Sequence, residues 1–130
     1  MNPHRHAYNL LVPAVLAGAR VAALFNGKIR RTIAVRKGIR RRWIEACGAM
    51  DRGRPVVWFH VSSAGEYLQA AAVIDRIVSG TADRPAVAVT FFSPSGYDYC
   101  MKHDARRNPG ISFVEYLPFD TPGGARFCLD

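Results

Sequence analysis

The chain has 130 residues, 49% of them hydrophobic and 22% charged, with eleven Gly and eight Pro. That is one domain's length with enough apolar material for a core, which excludes a disordered chain, a collagen-like repeat and a disulfide-held mini-protein. It also excludes two complete nucleotide-binding folds, which take about 300 residues at ~100–200 per domain.

The net charge of +8 is unevenly spread. Residues 1–54 hold twelve Lys and Arg against Glu45 and Asp51, while residues 55–130 hold six against eight acidic residues. A charge so segregated points to a local anionic partner: phosphates, a membrane surface or nucleic acid. Cys47, Cys100 and Cys128 are odd in number, widely spaced and without a CxxC pair, the pattern of free thiols in a reducing compartment.

Residues 7–25 form an apolar run interrupted by Pro13 and Arg20. A spanning helix needs ~20 mainly apolar residues, and an Arg at its centre costs ~2.5–3.5 kcal/mol on insertion scales. Ala17-Gly18-Ala19 resembles a signal-peptide cleavage site, but residues 28–42 are rich in Lys and Arg with no acidic residue, which opposes export. The pattern is a short apolar helix, a break at Gly27, and a basic helix with Ile29, Ile33, Val35, Ile39 and Trp43 on its apolar side. Three readings stay open: a helix in an anionic headgroup layer with Trp43 at the interface, a basic helix packed on the domain by its apolar side, and a nucleic-acid arm. Nucleic acid is not expected, because no aromatics interleave with the basic run and Trp43 comes only at its end.

Residues 55–61 (PVVWFHV) read as a strand buried on both faces, with His60 a buried, hydrogen-bonded histidine and a ligand or acid–base role as the alternative. A turn at 62–65 precedes a helix over 66–79, with Ala70, Ile74, Ile77 and Val78 on one face and Gly80 as the stop. Residues 86–91 form a second buried strand, 93–96 a second tight turn, and 97–105 a helix with Tyr97, Cys100 and Met101 inward. A third strand spans 112–117, a loop 118–124, and a helix starts at 125. Strands alternating with helices at this spacing predict right-handed crossovers and a parallel sheet, with function at the carboxyl ends of the strands. The turns 62–66, 92–96 and 117–121 fall there. No repeat, low-complexity tract, GxGxxG, P-loop or GxSxG occurs.

Each polar residue in these turns has a plain and a functional reading. Ser63-x-x-Glu66 is a capping box, and it also places a carboxylate beside free helix N–H groups. Ser93-Pro94-Ser95-Gly96 reads as a helix start with Ser95 as N-cap, or as a phosphate cradle. Cys100-x-x-His103 is half a zinc motif with no second half, so no metal site is expected. A non-catalytic basic α/β module and a phosphate-binding regulatory domain remain as alternatives.

His60-Val61-Ser62-Ser63-Ala64-Gly65-Glu66, then Thr90 with Ser93-Pro94-Ser95-Gly96, then Tyr116-Leu117-Pro118-Phe119-Asp120-Thr121-Pro122 resemble, in order and interval, the N-terminal domain of the 3-deoxy-D-manno-octulosonic acid (Kdo) transferases. The resemblance covers residues 55–122 and, more loosely, 8–48. It implies an α/β fold with a single Rossmann-like parallel sheet, one half of a GT-B glycosyltransferase, preceded by an apolar and basic helical segment. The segment falls at 1–48 and the acceptor domain at 55–130. It further implies inverting, metal-independent transfer of Kdo from CMP-Kdo to lipid A precursor at the cytoplasmic face of the inner membrane, without a cofactor. Glu66 matches the family's catalytic base. Ser62, Ser63, Gly65, Ser93, Ser95, Gly96, Arg40 and Arg41 fall to acceptor binding, the arginines meeting the phosphates of a bisphosphorylated glycolipid. The donor-binding domain is not within the 130 residues, so a piece inactive alone, with an apolar face exposed for docking, is expected.

Overall fold

The computed structural model describes residues 3–51, 53–80, 84–105 and 110–129. They form α1 (Pro3–Ala22), α2 (Gly27–Ala34), α3 (Ile39–Gly48), β1 (Val56–Val61), α4 (Ala64–Val78), β2 (Ala86–Phe91), α5 (Pro94–His103), β3 (Ile111–Tyr116) and α6 (Pro122–Leu129). The chain divides into two compact units, Gly38–Leu117 and a second made of Met1–Lys37 with Pro118–Asp130.

In the first unit the strands form a parallel sheet in the order β1-β2-β3, as the strand and helix alternation predicts. One face is covered by α4 and α5: the Tyr67 and Phe91 ring centroids lie 5.4 Å apart, and Tyr97 stacks on Tyr116 at 4.4 Å. Because both crossover helices lie on that face, the opposite face is left to α3. There Trp43 packs edge-on against Phe113 at 4.9 Å and Trp58 at 6.0 Å, and its indole N–H donates to the Tyr116 carbonyl at 2.9 Å. Beside it, Arg42 meets the buried Glu115 carboxylate through two nitrogens, the shorter contact 2.5 Å.

A bulge explains how Phe113 reaches α3. Val87 pairs with Ile111 but Ala88 pairs with Phe113, so Ser112 is left over and the following residues change face. Burial differs along the sheet because α3 packs over β3. Every residue of the central β2 is buried, whereas β1, which α3 meets through the Trp43–Trp58 contact, leaves Val56, Trp58 and His60 exposed on the α3 side. The reading of β1 as buried on both faces, with His60 inside, is therefore corrected.

Four further boundaries and one packing role are corrected. The basic stretch is two helices, since Gly38 takes a left-handed backbone (φ +67°) between α2 and α3. Trp43 is 6% exposed, so it is a core residue of the sheet rather than an interfacial anchor. The helix after β3 starts at Pro122, within the expected loop, because the Thr121 side chain accepts from the Gly124 N–H at 3.0 Å and caps it. Likewise α4 and α5 begin earlier than expected, after Ser63 and Ser93 as N-caps.

In the second unit, Asn26 caps α2 by accepting from the N–H groups of Lys28 and Ile29. The segment leaving β3 is held from two sides. The Tyr8 hydroxyl donates to the Asp120 carboxylate, which pushes the phenol pKa up, and the Arg36 guanidinium lies 4.6 Å from the centre of the Phe119 ring. Pro13 sits inside α1 and removes one helical donor. Among the described residues no helix is long and apolar enough to cross a membrane.

Tyr67 and Cys100 meet in the core between α4 and α5. Burial pushes the Tyr67 phenol well above its ordinary value of 10.0, helped by hydrogen bonding to Cys100 and Asp104, and burial pushes the Cys100 thiol above 9.0. Both groups stay protonated in the folded chain at pH values where the unfolded chain ionises them. The stability linked to them is complete below about pH 9 and is lost progressively as pH rises above about 9 to 10 toward the higher folded-state values. We expect the urea midpoint to fall steeply above about pH 9 in the unaltered chain and less steeply in Tyr67→Phe. Parallel slopes in the two would remove Tyr67 as the cause.

Candidate functional site

The carboxyl ends of β1 and β2 continue their hydrogen-bonding past the sheet. Phe92 N–H donates to Val61 O at 3.1 Å and Ser93 N–H donates to Ser62 O at 3.2 Å, so the two crossover turns stay paired as they leave the strands. The first helical turn of α5 then crosses the 62–66 turn at very close range. A β-carbon on Gly96 would lie 2.7 Å from Phe91 Cδ1 and 3.1 Å from the Ser63 carbonyl carbon. Only glycine permits that approach, and it joins the Ser62-Ser63-Ala64-Gly65-Glu66 turn to the Ser93-Pro94-Ser95-Gly96 turn.

Within the first turn the capping box forms in a shifted version. Ser63 Oγ accepts from the Glu66 N–H at 3.3 Å, while Glu66 Oε2 accepts from the Ser62 N–H at 2.7 Å, one residue further back than the usual partner. Glu66 is exposed, and among the described residues Oε1 has no protein partner. One carboxylate oxygen is therefore fixed and the other open to solvent. Ser62 and Gly65 are exposed beside it, Ser63 half-buried.

In the second turn the N-cap is Ser93, not Ser95. Pro94 occupies the first helical position, where its ring presets φ and its missing N–H is not needed, which moves the cap one residue ahead of it. The two hydroxyls share a hydrogen bond of 2.9 Å, with Ser95 exposed and Ser93 half-buried. Phe92, 45% exposed, stands between the turns; its exposure was not legible in an apolar run. At the third turn Leu117 N–H donates to Phe91 O at 2.9 Å, and the chain from Pro118 belongs to the other unit.

The structure thus gathers Ser62, Ser63, Gly65, Glu66, Ser93, Ser95 and Gly96 at one end of the sheet. Arg40 and Arg41 lie exposed on α3, Arg41 paired with Glu45 at 3.5 Å. The Cys100 thiol is buried against Tyr67, while His103 stacks on Tyr99 at 4.4 Å. Sequence reasoning missed Tyr67, whose position at the start of α4 puts it under the turn-bearing ends of the strands and 1% exposed. It also missed that the Thr90 hydroxyl, fully buried, gathers Trp58 and His60.

A three-stranded parallel sheet flanked by helices, with polar turns at its carboxyl end, is an α/β fold consistent with one half of a GT-B glycosyltransferase. The comparison with protein families agrees. The family model described as 3-Deoxy-D-manno-octulosonic-acid transferase (kdotransferase), for its N-terminal glycosyltransferase region, matches residues 36–130. The chain belongs to the Kdo transferase family, glycosyltransferases of lipopolysaccharide synthesis that in general join a lipid A acceptor and a CMP-Kdo donor. Neither the curated proteins nor the solved structures compared with it give a match.

The Gly96 contact makes a sharp stability prediction. Gly96→Ala lowers the unfolding free energy by about 1–3 kcal/mol, since the buried Phe91 ring and the Ser63 backbone must both move. Gly65→Ala is the control: the nearest atom to its added carbon is Ser63 Oγ at 3.9 Å, so urea unfolding shows no loss.

Proposed function

We propose that this chain is the acceptor-binding part of a Kdo transferase that acts on lipid A precursor, and that Glu66 is the base that activates the acceptor hydroxyl. The observation that carries the reading is the divided carboxylate of Glu66. Its Oε2 is anchored by the Ser62 N–H at 2.7 Å and Oε1 is open, so the same side chain caps its helix and accepts a proton without breaking the cap. The capping and catalytic readings of Ser63-x-x-Glu66 are then compatible.

In the proposed reaction Oε1 takes the proton of the acceptor sugar hydroxyl as that oxygen bonds to the anomeric carbon of the donor. The bond from that carbon to the CMP phosphate oxygen breaks, and its electron pair leaves with CMP. Configuration inverts because a single displacement occurs, with no covalent intermediate and no metal in the step. The donor is held by the family's other half. Ser62, Ser63, Gly65, Ser93 and Ser95 form the floor on which the acceptor sugar rests, while Gly96, buried against Phe91 and Ser63, serves it by joining the two turns. Small side chains and the exposed hydroxyls of Ser62 and Ser95 suit close approach and hydrogen bonding.

Arg40 and Arg41 pair with the acceptor's phosphates, for which a planar guanidinium fork is well matched. A membrane-surface location at the cytoplasmic face of the inner membrane fits the same chemistry. Leu10, Leu11, Val15, Val21, Leu24 and Phe25 are exposed in the unit that also carries basic α2, an apolar and cationic pairing that suits anionic lipid.

Two experiments test this, both with the chain joined to a donor-binding half. Glu66→Gln keeps an oxygen for the Ser62 N–H, so circular dichroism is unchanged while transfer falls by about 10²–10⁴-fold; undiminished transfer excludes Glu66 as the base. In an Arg40→Ala, Arg41→Ala double variant, loss of the exposed Arg41–Glu45 pair accounts for no more than ~0.5 kcal/mol of stability. The variant raises KM for the acceptor several-fold and flattens the salt dependence of binding to anionic vesicles.

A further inference from the structure

The chemistry above does not use His60, yet its surroundings are built. In the sheet register His60 lies beside Thr90, and Thr90 beside Glu115, one row across the α3 face at the carboxyl end of the strands. Thr90 Oγ1 is fully buried and has three neighbours: Trp58 Nε1 at 2.8 Å, His60 Nδ1 at 3.1 Å and the Phe59 carbonyl oxygen at 3.4 Å.

A threonine hydroxyl has one proton to give and two lone pairs to fill. The indole nitrogen is a donor only, so it takes one lone pair. The carbonyl oxygen is an acceptor only, so the contact with it uses the hydroxyl proton. With the proton on that carbonyl, what faces His60 is a lone pair and Nδ1 carries the hydrogen; a hydroxyl that instead donated to Nδ1 would fit the same 3.1 Å contact and leave the hydrogen on Nε2. A neutral imidazole with its proton on Nδ1 has its lone pair on Nε2. His60 is exposed, and it stands two residues, about 7 Å of strand, before Ser62, whose N–H anchors Glu66.

We propose that His60 is an acceptor-binding residue, locked by Thr90 in the Nδ1–H tautomer so that Nε2 accepts a hydrogen bond from a hydroxyl of the incoming sugar. Thr90 acts through His60 and is a positioning residue. Trp58 contributes by filling the lone pair that would otherwise compete for His60. The inference rests on the reading of the strand-end turns as the acceptor site. It adds to that site a hydrogen-bond acceptor for a neutral hydroxyl, distinct from the base.

The test uses the full 130-residue chain with isotope-labelled histidine, and as probe the deacylated, bisphosphorylated sugar headgroup of lipid A precursor. Proton–nitrogen correlation spectra are expected to show His60 protonated at Nδ1. Thr90→Ser keeps that tautomer and Thr90→Val loses it. Adding the headgroup shifts the Nε2 signal. His60→Phe weakens headgroup binding roughly tenfold, the loss of about one hydrogen bond, and His60→Gln, whose side-chain oxygen stands near the Nε2 position, restores most of it.

A proton found on Nε2 overturns the proposal whatever the ligand does. Headgroup binding that is unchanged in His60→Phe overturns it while leaving the acceptor reading intact. No headgroup binding by the unaltered chain overturns both. Loss of transfer in Glu66→Gln with binding retained bears on the base alone, so the two readings fail separately.

Discussion

The first turn of α5 passes so near the preceding crossover turn that only a residue without a side chain fits there. Because Gly96 has no side chain, α5 starts directly against the Phe91 ring and the Ser63 backbone. The paired N–H and C=O groups of Val61, Ser62, Phe92 and Ser93 carry the sheet's ladder into the loops. Two crossover turns that are far apart in sequence thereby become one rigid rim. Without that contact the hydroxyls of Ser62, Ser63, Ser93 and Ser95 would belong to two independent loops, and no common ligand would be defined.

The rim places Glu66 where structure and chemistry make compatible demands. A carboxylate on the first turn of a helix is favoured by the helix dipole and by unpaired N–H groups. Here it satisfies one of them, at Ser62, with one oxygen. The second oxygen faces water, which keeps the side chain oriented yet available. The same economy runs through the adjacent row of the sheet, where the Thr90 hydroxyl serves Trp58, His60 and a strand carbonyl at once.

The basic segment proves to be two things. α3 is bound to the sheet by Trp43 and by the Arg42–Glu115 pair, a buried carboxylate that without Arg42 would keep the Tyr116 N–H but lose its counter-charge. Arg40 and Arg41, on the same helix, stay exposed. Packing by the apolar side and presentation of cations outward are thus successive faces of one short helix, separated from α2 by the left-handed turn at Gly38. Within the unit that holds α1 and α2, Tyr8 and Arg36 grip Asp120 and Phe119, which accounts for the Pro-Phe-Asp run as a structural element rather than a plain loop.

What the sequence by itself determined was local: the strands at 56–61 and 86–91, the helix between them, the parallel order, and a helix-opening carboxylate at Glu66. These follow from apolar runs, helical periodicity and capping chemistry, all of which act within a few residues. Family membership was legible for the same reason, since its motifs are the turns themselves. Tertiary structure alone decided the rest. The exposure of Trp58 and His60 depends on α3 packing over β3 rather than over β1, which no property of the strand announces. The facing of Phe113 depends on a bulge that shifts pairing by one residue, and the cap at Ser93 rather than Ser95 on the ring of Pro94 preset for a helix start. The union of the two turns depends on what lies above a single missing β-carbon, a fact about neighbours distant in the chain.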